Sequence, residues 1–319
     1  MNPMVSVCMV TYNHEKFIAQ AIESVLMQKT DFSFELVIGE DCSTDNTRKI
    51  VVEYKRRYPD KIKLLLAEKN LGAGRNFVQT IKACRGKYIA LLEGDDYWTD
   101  NYKLQKQVDT LESNSAYVIC FHNADVFYED KTRKSHLHNN MNLRNELTIE
   151  DLFHGSNIIC TSSCCFRNNL FEEFPQWYLE VAAGDWVLHV LNAQYGKLVF
   201  LPQTMSVYRV NAGSTWNSKN RLQRLKKSLS AREHINQHFS YKYNRAIGKV
   251  IAQWSIEVAK LEKKEGDLES ANQFYQKALQ ALWSITPFPL ALILKIYISY
   301  HFPYLERLFM FSERVARKI

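Results

Sequence analysis

Four short apolar segments alternate with three segments of helical periodicity in the first 92 residues, and this alternation restricts the fold more than any other feature of the sequence. The apolar segments predict buried strands at 5–10, 34–39, 62–66 and 88–92. The periodic segments predict helices at 17–26, at 44–54 after a cap at Thr44, and at 77–83. Because strand–helix–strand connections are right-handed, this order predicts an α/β fold with an open, mostly parallel sheet flanked by helices.

The remainder of the chain predicts a mixed part followed by a helical one. Strands are expected at 116–121, 157–166, 197–201 and 205–210, and a helix at 185–195. From Lys219 the pattern is wholly helical, and two helices at 252–264 and 268–283 around Gly266 resemble a single tetratricopeptide unit. We therefore expect one domain over 1–218 and a helical C-terminal region over 219–319.

Positive charge is concentrated in the C-terminal region. Residues 219–319 contain 18 Lys and Arg against 8 Asp and Glu, whereas residues 1–218 contain 23 against 26. The apolar run at 287–300 is too short to cross a bilayer, which needs about 20 apolar residues. It predicts either a docked helix or an interfacial helix, and with Arg307, Arg314, Arg317 and Lys318 it suggests weak contact between 284–319 and anionic membranes.

Other features of the sequence restrict where the protein is expected to be located and what it is expected to bind. The first residues carry no basic, apolar secretion signal, so we expect a cytoplasmic protein with peripheral contact at the inner face of the membrane. Most of the seven cysteines lie in apolar runs, which favours buried, reduced thiols over a metal cluster. No recognition motif accompanies the basic region, so nucleic acid is not an expected partner.

Polar residues follow each of the four N-terminal strands. They are Thr11, Tyr12 and Asn13 after the first strand, Asp41 after the second, Arg75 in a glycine-containing stretch after the third, and Glu93, Asp95 and Asp96 after the fourth. Ligands of open α/β sheets bind at the carboxyl ends of the strands. The four groups are therefore expected to line one crevice.

The acidic triplet is the sharpest single signal. Three carboxylates within four residues repel one another unless a cation or hydrogen-bond donors compensate. Their oxygens suit Mg²⁺ or Mn²⁺, either of which can bridge to substrate phosphates. The alternative is a solvated acidic turn, which the position after a buried strand makes less favourable.

Taken in order, these motifs resemble the family 2 glycosyltransferases, which have the GT-A fold. The resemblance covers about two-thirds of the chain, from residue 4 to residue 216. It rests on the ordered motifs Val5-Ser-Val-Cys-Met-Val-Thr-Tyr-Asn13, Glu40-Asp-Cys-Ser-Thr-Asp45, Asn70-Leu-Gly72, Leu92-Glu-Gly-Asp-Asp-Tyr-Trp98, Gly184-Asp-Trp186 and Tyr208-Arg-Val-Asn211.

The resemblance implies roles for individual residues. It implies nucleotide binding by Thr11, Tyr12, Asn13, Asp41, Arg75 and Asp96, a metal site at Asp95 and Glu93, and proton abstraction from the acceptor by Asp185. It also implies a sugar and acceptor site that includes Trp98, Trp186, Arg209 and Asn211, although a buried core position is the commoner fate of tryptophan.

Three positions depart from the family pattern, and one role has an alternative. Glu93 replaces the usual Asp, Gly184 replaces a common acid, and Asn211 stands where many relatives have His. Asp185 would also serve as the N-cap of the helix that it opens.

The expected function is an inverting, metal-dependent glycosyltransferase. It would move a sugar from a nucleoside-diphosphate sugar to a hydroxyl of a glycan or glycolipid, in surface polysaccharide or glycolipid synthesis. One alternative is a nucleotidyltransferase that makes sugar nucleotides, but such enzymes need glycine after the first strand and Thr11-Tyr-Asn-His14 has none. The other is an inactive sugar-nucleotide-binding scaffold. The sugar, the base, the linkage and the oligomeric state stay open.

Overall fold

The N-terminal part of the chain has the predicted alternation of strands and helices. The computed structural model describes residues 2–140, 142–155, 157–181, 184–211, 219–285 and 290–301. The first elements are β1 (Val5–Thr11), α1 (Ile18–Leu26), β2 (Phe34–Glu40), α2 (Thr47–Arg57), β3 (Ile62–Leu66), α3 (Ala73–Lys82) and β4 (Tyr88–Glu93). The order of elements is that of the sequence prediction.

β1 to β4 form a parallel sheet in the order β3-β2-β1-β4. In the register of this sheet, Thr11 lies opposite Glu40 and Val10 lies opposite Glu93. β1 and β4 are buried over almost their whole length, which explains their continuous apolar sequences. The carboxyl ends of these strands therefore meet at one edge of the sheet.

The second half of the sheet is mixed. It contains β5 (Tyr97–Trp98), β6 (Tyr117–Tyr128), β7 (His136–Leu137), β8 (Glu146–Leu147), β9 (Cys165–Arg167) and β10 (Lys197–Val210), with helices α4 (Lys103–Ser113) and α5 (Gly184–Ala193). β9 pairs antiparallel with both β4 and β6, and β6 pairs parallel with β10. β10 returns to β5 with Ser206 opposite Trp98, which brings the end of β10 beside the acidic triplet.

Three sequence predictions are corrected here. The strand expected at 157–166 is only Cys165–Arg167, preceded by a short 3-10 helix at Thr161–Ser163. The hydroxyl of Ser163 donates to the carbonyl of Cys160 at 2.7 Å, a local bond that competes with strand pairing. The strands expected at 197–201 and 205–210 are one strand, β10, whose register against β6 shifts between Leu201 and Ser206.

The third correction concerns the start of α2. The helix begins at Thr47 rather than after a cap at Thr44. Asp45 Oδ1 accepts the backbone N–H of Thr47 at 2.9 Å, and Thr44 is held by Asn13 instead. The three extra loop residues therefore belong to the edge of the crevice.

The C-terminal part is helical, as predicted. It contains α6 (Arg221–His238), α7 (Asn244–Glu265), α8 (Leu268–Trp283) and α9 (Leu290–His301). The contacts divide the chain into two compact units, Met1–Leu152 with Ser156–Ser218, and Phe153–Gly155 with Lys219–Ile319. α7 and α8 form a hairpin through Gly266, whose φ of 90° is left-handed and favours glycine.

α9 packs on this hairpin with one face. Ile296 and Tyr300 of α9 are buried, and the Tyr300 ring stacks on that of Tyr275 in α8 at 4.3 Å. Arg307, Arg314, Arg317 and Lys318, which the sequence analysis linked to membranes, lie outside the described residues. Within the described residues, none of the helices combines the length and apolar character needed to span a bilayer.

Candidate active site

The loop that follows β1 is fixed by the loop that follows β2. Asn13 has a left-handed backbone (φ 55°), and its Oδ1 accepts the backbone N–H of Thr44 at 2.8 Å. The backbone N–H of His14 donates to Thr47 Oγ1 at 2.8 Å. Tyr12, directly before Asn13, is 41% exposed. This arrangement holds the Thr11–Asn13 backbone rigidly at the sheet edge and presents the Tyr12 ring to solvent.

Asp41 fixes a third loop. Its carboxylate is buried, and it accepts the backbone N–H of Leu71 at 2.7 Å and that of Gly72 at 3.0 Å. Gly72 has φ 84° and directly precedes α3. A carboxylate has about four acceptor positions, so two remain for a ligand.

Arg75 lies on the first turn of α3 and is exposed. Within the described part of the chain its guanidinium has no hydrogen-bond or ion-pair partner, in contrast to the other predicted basic site residue, Arg209. It is therefore a cation available at a helix N-terminus, where anions bind.

The acidic triplet lies at the end of β4, as the sequence predicts. Glu93 is half-buried, whereas Asp95 and Asp96 are buried. Asp96 Oδ1 accepts the backbone N–H of Arg209 at 2.8 Å, but Oδ2 is buried and has no hydrogen-bond partner in the part of the chain that the structure describes. Desolvation, followed by the charge of Asp95, raises the pKa of Asp96 well above its ordinary value. An orphaned carboxylate oxygen in such a place indicates a missing cation or donor group.

Glu93 experiences the same crowding. Desolvation, with further contributions from Asp95 and Asp185, raises the pKa of Glu93 to about 8. Asp185, distant in sequence, thus lies close enough to act on the acidic cluster electrostatically. In their ionised forms these carboxylates repel one another, and a bound cation would remove the repulsion.

Asp95 has two neighbours from other loops. Asn211 Nδ2 donates to Asp95 Oδ2 at 2.9 Å, and His14 Nε2 lies 3.8 Å from the same oxygen. Gly94 makes room for this approach, because an added Cβ would lie 2.6 Å from Thr11 Oγ1 and 2.9 Å from His14 Nδ1. No role was predicted for His14, although its position after Thr11-Tyr-Asn, at the end of a strand, would have indicated a place in the site.

Arg209 is held within the protein and does not point to an open sugar site. Its guanidinium lies between the rings of Phe17 and Tyr97, at 5.0 and 4.5 Å from their centroids. Nη1 donates to the carbonyl of Asp95 at 2.7 Å, and Nε lies 2.9 Å from Glu129 Oε1 as an ion pair without an aligned hydrogen bond. Arg209 therefore positions the backbone of the acidic triplet.

The two tryptophans predicted in the sugar site are core residues in this structure. Trp98 is 1% exposed and Trp186 is 3% exposed. Their indole N–H groups donate to the backbone carbonyls of Ser162 and Leu152, at 2.8 and 2.9 Å. These contacts favour a core position for both tryptophans, the commoner fate of the residue, over a place in the sugar site.

Asp185 lies in the first turn of α5, which begins at Gly184, so it is inside the helix and not at the capping position before it. Its Oδ2 accepts Asn157 Nδ2 at 3.0 Å and lies 3.5 Å from Thr161 Oγ1. Asn157 and Thr161 were missed by the sequence analysis because they fall in the segment predicted as a strand. Both residues contact Oδ2 of Asp185, and Oδ1 is the second oxygen that can accept a hydrogen bond or a proton.

The residues of the acidic cluster can be compared with the ligands that a divalent cation requires. Among the described residues, no three carboxylate, imidazole or thiol groups already converge as metal ligands. Asp96 Oδ2 is buried with no hydrogen-bond partner among the described residues, and the pKa of Glu93 is raised, so a bound cation would stabilise the ionised forms of both carboxylates. Hard oxygen donors of this kind fit Mg²⁺ or Mn²⁺.

Comparison with known proteins places these motifs in one family. The model of the family described as Glycosyl transferase family 2 matches residues 6–174. An uncharacterised protein of Mycobacterium tuberculosis (strain ATCC 25618 / H37Rv) is 38% identical over 214 residues, which is 67% of this chain and 60% of that protein. The matched part of the chain thus spans about three-fifths of the length of this relative.

Two solved structures share the fold. S. aureus TarS in complex with UDP-GlcNAc has a TM-score of 0.58 and 18% identity, over 88% of this chain and 92% of that chain. A mannosyltransferase from Pyrobaculum calidifontis in complex with GDP-Man and Mn²⁺ has a TM-score of 0.56 and 16% identity, over 95% and 88%. At these identities the likeness concerns the fold.

Proposed function

The chain belongs to glycosyl transferase family 2 and has the GT-A fold, and on this basis we propose that it is an inverting glycosyltransferase that uses a nucleoside-diphosphate sugar and a divalent cation. One observation carries the proposal. At a single edge of the sheet, the charges of Glu93, Asp95 and Asp96 crowd together, and Glu93 also lies near enough to Asp185 for the two charges to interact. The arrangement combines a site for a charged leaving group with a separate carboxylate base.

The donor would bind along the carboxyl ends of β1, β2 and β4. Thr11, Tyr12 and Asn13, together with Asp41, would contact the base and ribose, and Asp96 Oδ2 would accept a hydroxyl of ribose or sugar. Arg75 would bind the diphosphate, because its guanidinium lies on the first turn of α3 and has no partner among the described residues. The two solved structures with a similar fold contain UDP-GlcNAc and GDP-Man, and both ligands belong to this class of donor.

Asp95 and Glu93 would hold Mn²⁺ or Mg²⁺ beside the diphosphate. The cation would act there as a Lewis acid that neutralises the charge growing on the leaving group. Asn211, which donates to Asp95 Oδ2, would fix the orientation of that carboxylate. Arg209 would hold the loop backbone through the carbonyl of Asp95.

Asp185 would be the base. Asn157 and Thr161 orient its Oδ2, so Oδ1 is left to accept the proton of the acceptor hydroxyl as the oxygen attacks the anomeric carbon. A single displacement of this kind inverts the anomeric configuration. A carboxylate base contributes typically about 10²–10⁴-fold to the rate.

The acceptor and the cellular role follow from the family resemblance. We propose a hydroxyl of a glycan or glycolipid as acceptor, in surface polysaccharide or glycolipid synthesis. The catalytic part would be 1–218, and the C-terminal region over 219–319 would attach the protein to the membrane. The proposed location is the cytoplasm, with peripheral contact at the inner face of the membrane.

The proposal is tested with Asp95→Asn, which keeps the size of the side chain and removes its charge. Donor binding and hydrolysis are measured for a panel of nucleoside-diphosphate sugars, with and without Mn²⁺. We expect the wild type to hydrolyse one donor in a Mn²⁺-dependent way, and the variant to lose this activity without a lower melting temperature.

Asp109→Asn provides a matched control, since Asp109 is an exposed acid on α4. It should behave as the wild type. Wild-type turnover by Asp95→Asn without divalent ions would refute the metal site. Donor binding without turnover by the wild-type protein, even with candidate acceptors, would favour the scaffold alternative.

A further inference from the structure

The α7–α8 hairpin has two ends of different character. One end is the turn at Gly266. At the other, which we call the open end, the first turn of α7 meets the last turn of α8. Asn244 Nδ2 donates to the carbonyl and to Oγ of Ser284, both at 2.9 Å, and a Cβ added at Gly248 would lie 3.2 Å from Ile285. The open end is therefore well packed.

Charge is distributed unevenly along the hairpin. Beyond the open end, cations of the helical unit pair with acids, as in Arg221–Glu257, Lys226–Glu262 and Lys277–Glu233. The sequence has no Asp or Glu in 234–256 or in 270–305. These acid-free segments include the parts of α7 and α8 that form the open end, and the whole of α9.

Three cations lie on the open end without an acidic partner among the described residues. They are Lys242, Arg245 and Lys249, and all three are exposed. Arg245 and Lys249 each follow a residue that contacts the end of α8, so they border that contact one helical turn apart. Their charge faces solvent and is not neutralised within the described unit.

Large apolar side chains are exposed beside these cations. Trp283, the last residue of α8, is 65% exposed, and Tyr241 is 60% exposed. α9 starts five residues after Ile285 and presents Leu290, Leu294 and Tyr297 to solvent, spaced along one face. The opposite face of α9 is the one that packs on the hairpin.

We propose that this surface, formed by Tyr241, Lys242, Arg245, Lys249, Trp283 and the exposed face of α9, docks on an anionic lipid bilayer. A surface that combines exposed aromatic and aliphatic side chains with cations is suited to the headgroup region, where the apolar parts enter the acyl boundary and the cations meet anionic headgroups. A soluble polyanion would pair with the cations but would leave Trp283, Leu290 and Leu294 in water.

The inference deepens the proposed function, since it rests on that function for the glycolipid acceptor that a bilayer would supply. It also assigns the contact to described residues of α7, α8 and α9, whereas the sequence analysis assigned it to 284–319. The binding itself can be measured without donor or acceptor.

The test is flotation of the full chain with vesicles of phosphatidylcholine alone or with about 30% phosphatidylglycerol. We expect binding to the anionic vesicles only, weakened when sodium chloride is raised from about 50 to about 300 mM. A cation near an anionic surface contributes about fivefold to binding, so Arg245→Glu/Lys249→Glu should lower the partition coefficient by at least about 25-fold. Trp283→Ser should also lower it, because it removes the largest exposed apolar side chain.

The matched control is Lys82→Glu/Lys264→Glu, which changes the net charge equally at exposed positions away from the open end. It should retain most of the binding, and all variants should melt as the wild type does. Equal loss in both double variants would overturn the proposal, as would a wild type that ignores anionic vesicles. Binding to polyphosphate without binding to vesicles would overturn it as well.

The two proposals fail separately. Asp95→Asn should float with anionic vesicles as the wild type does, and Arg245→Glu/Lys249→Glu should hydrolyse donor in solution at the wild-type rate. A protein that floats but never hydrolyses a donor would contradict the proposed function alone.

Discussion

Replacement of the buried Lys103 by methionine should change how the stability of the protein depends on pH. Lys103 is fully buried on α4, where Nζ donates to Gln107 Oε1 at 2.7 Å and lies 3.9 Å from the centroid of the Trp98 ring. Burial lowers the pKa of this ammonium group to about 8. Lys103 thus packs against Trp98, the residue two positions after the acidic triplet.

The magnitude follows from the displacement of the pKa. Below pH 8 the lysine is protonated in both the folded and the unfolded chain, and folding must desolvate the charge. A fall from about 10.5 to about 8 corresponds to roughly 3 kcal/mol, at about 1.4 kcal/mol per pH unit. Between pH 8 and 10.5 the folded protein binds fewer protons than the unfolded chain, so the free energy of unfolding of the wild type rises with pH through this window.

Lys103→Met removes this dependence. At pH 7 the variant gains roughly 3 kcal/mol but leaves Gln107 Oε1 without its donor, which costs about 1–3 kcal/mol, so it should be as stable as the wild type or up to about 2 kcal/mol more stable. At pH 10 most of the gain has disappeared, and the variant should be the less stable by about 1–2 kcal/mol.

The assay is chemical unfolding of both proteins at several pH values from 7 to 10, with the difference between their free energies of unfolding as the observable. Lys106→Met serves as control, because it removes a half-exposed lysine of the same helix. A difference between wild type and Lys103→Met that stays constant across the range would refute the account of a buried, desolvated ammonium group.

Further predictions concern the site. Asp41→Ala should weaken nucleoside diphosphate binding more than it slows the bound complex, because the 71–72 loop loses its acceptor; unchanged affinity in a calorimetric titration would remove Asp41 from the site. Asp185→Asn should keep donor affinity and melting temperature while turnover falls by at least about 10²-fold; near-normal turnover would place the base elsewhere. Asn157→Ala should lower turnover and leave nucleotide affinity unchanged, as measured by kinetics and titration, and equal effects on both would indicate a general structural role. Gly94→Ala should destabilise the protein by about 1–3 kcal/mol in thermal unfolding, because the new Cβ would lie 2.6 Å from Thr11 Oγ1, and wild-type melting would show that the loop has room.

The sequence was informative where a local pattern determines a position in space. β1 to β4 are apolar runs with short connections, so their parallel order and the meeting of Thr11, Asp41 and Glu93 at one edge follow from the handedness of the crossovers. The helical hairpin around Gly266 was equally predictable, because a glycine between two periodic segments is the usual signal of a left-handed helix end.

In other parts of the chain, the structure depended on contacts between residues that are distant in sequence. Residues 157–166 are apolar enough for a strand, but Ser163 bonds back to Cys160, and Asn157 turns its amide to Asp185. Trp98 follows the acidic triplet directly and was therefore a candidate for the sugar site. Its indole instead lies over Lys103 and donates to Ser162, contacts that no spacing in the sequence shows.

The acidic triplet depends both on a local sequence pattern and on contacts with residues distant in sequence. A folded chain gains nothing in stability from burying Asp96 with an unpartnered oxygen beside Asp95 and Glu93, since desolvation and mutual repulsion both disfavour the ionised forms. The surrounding structure nevertheless holds the cluster firmly: Arg209 bonds the loop through the Asp95 carbonyl and the Asp96 carboxylate, and Gly94 lets Thr11 approach. Rigid support of an electrostatically unfavourable group is expected where a ligand supplies the missing charge or donors. The same reasoning separates the cluster from a solvated acidic turn, whose carboxylates would be exposed to water and would need no such support.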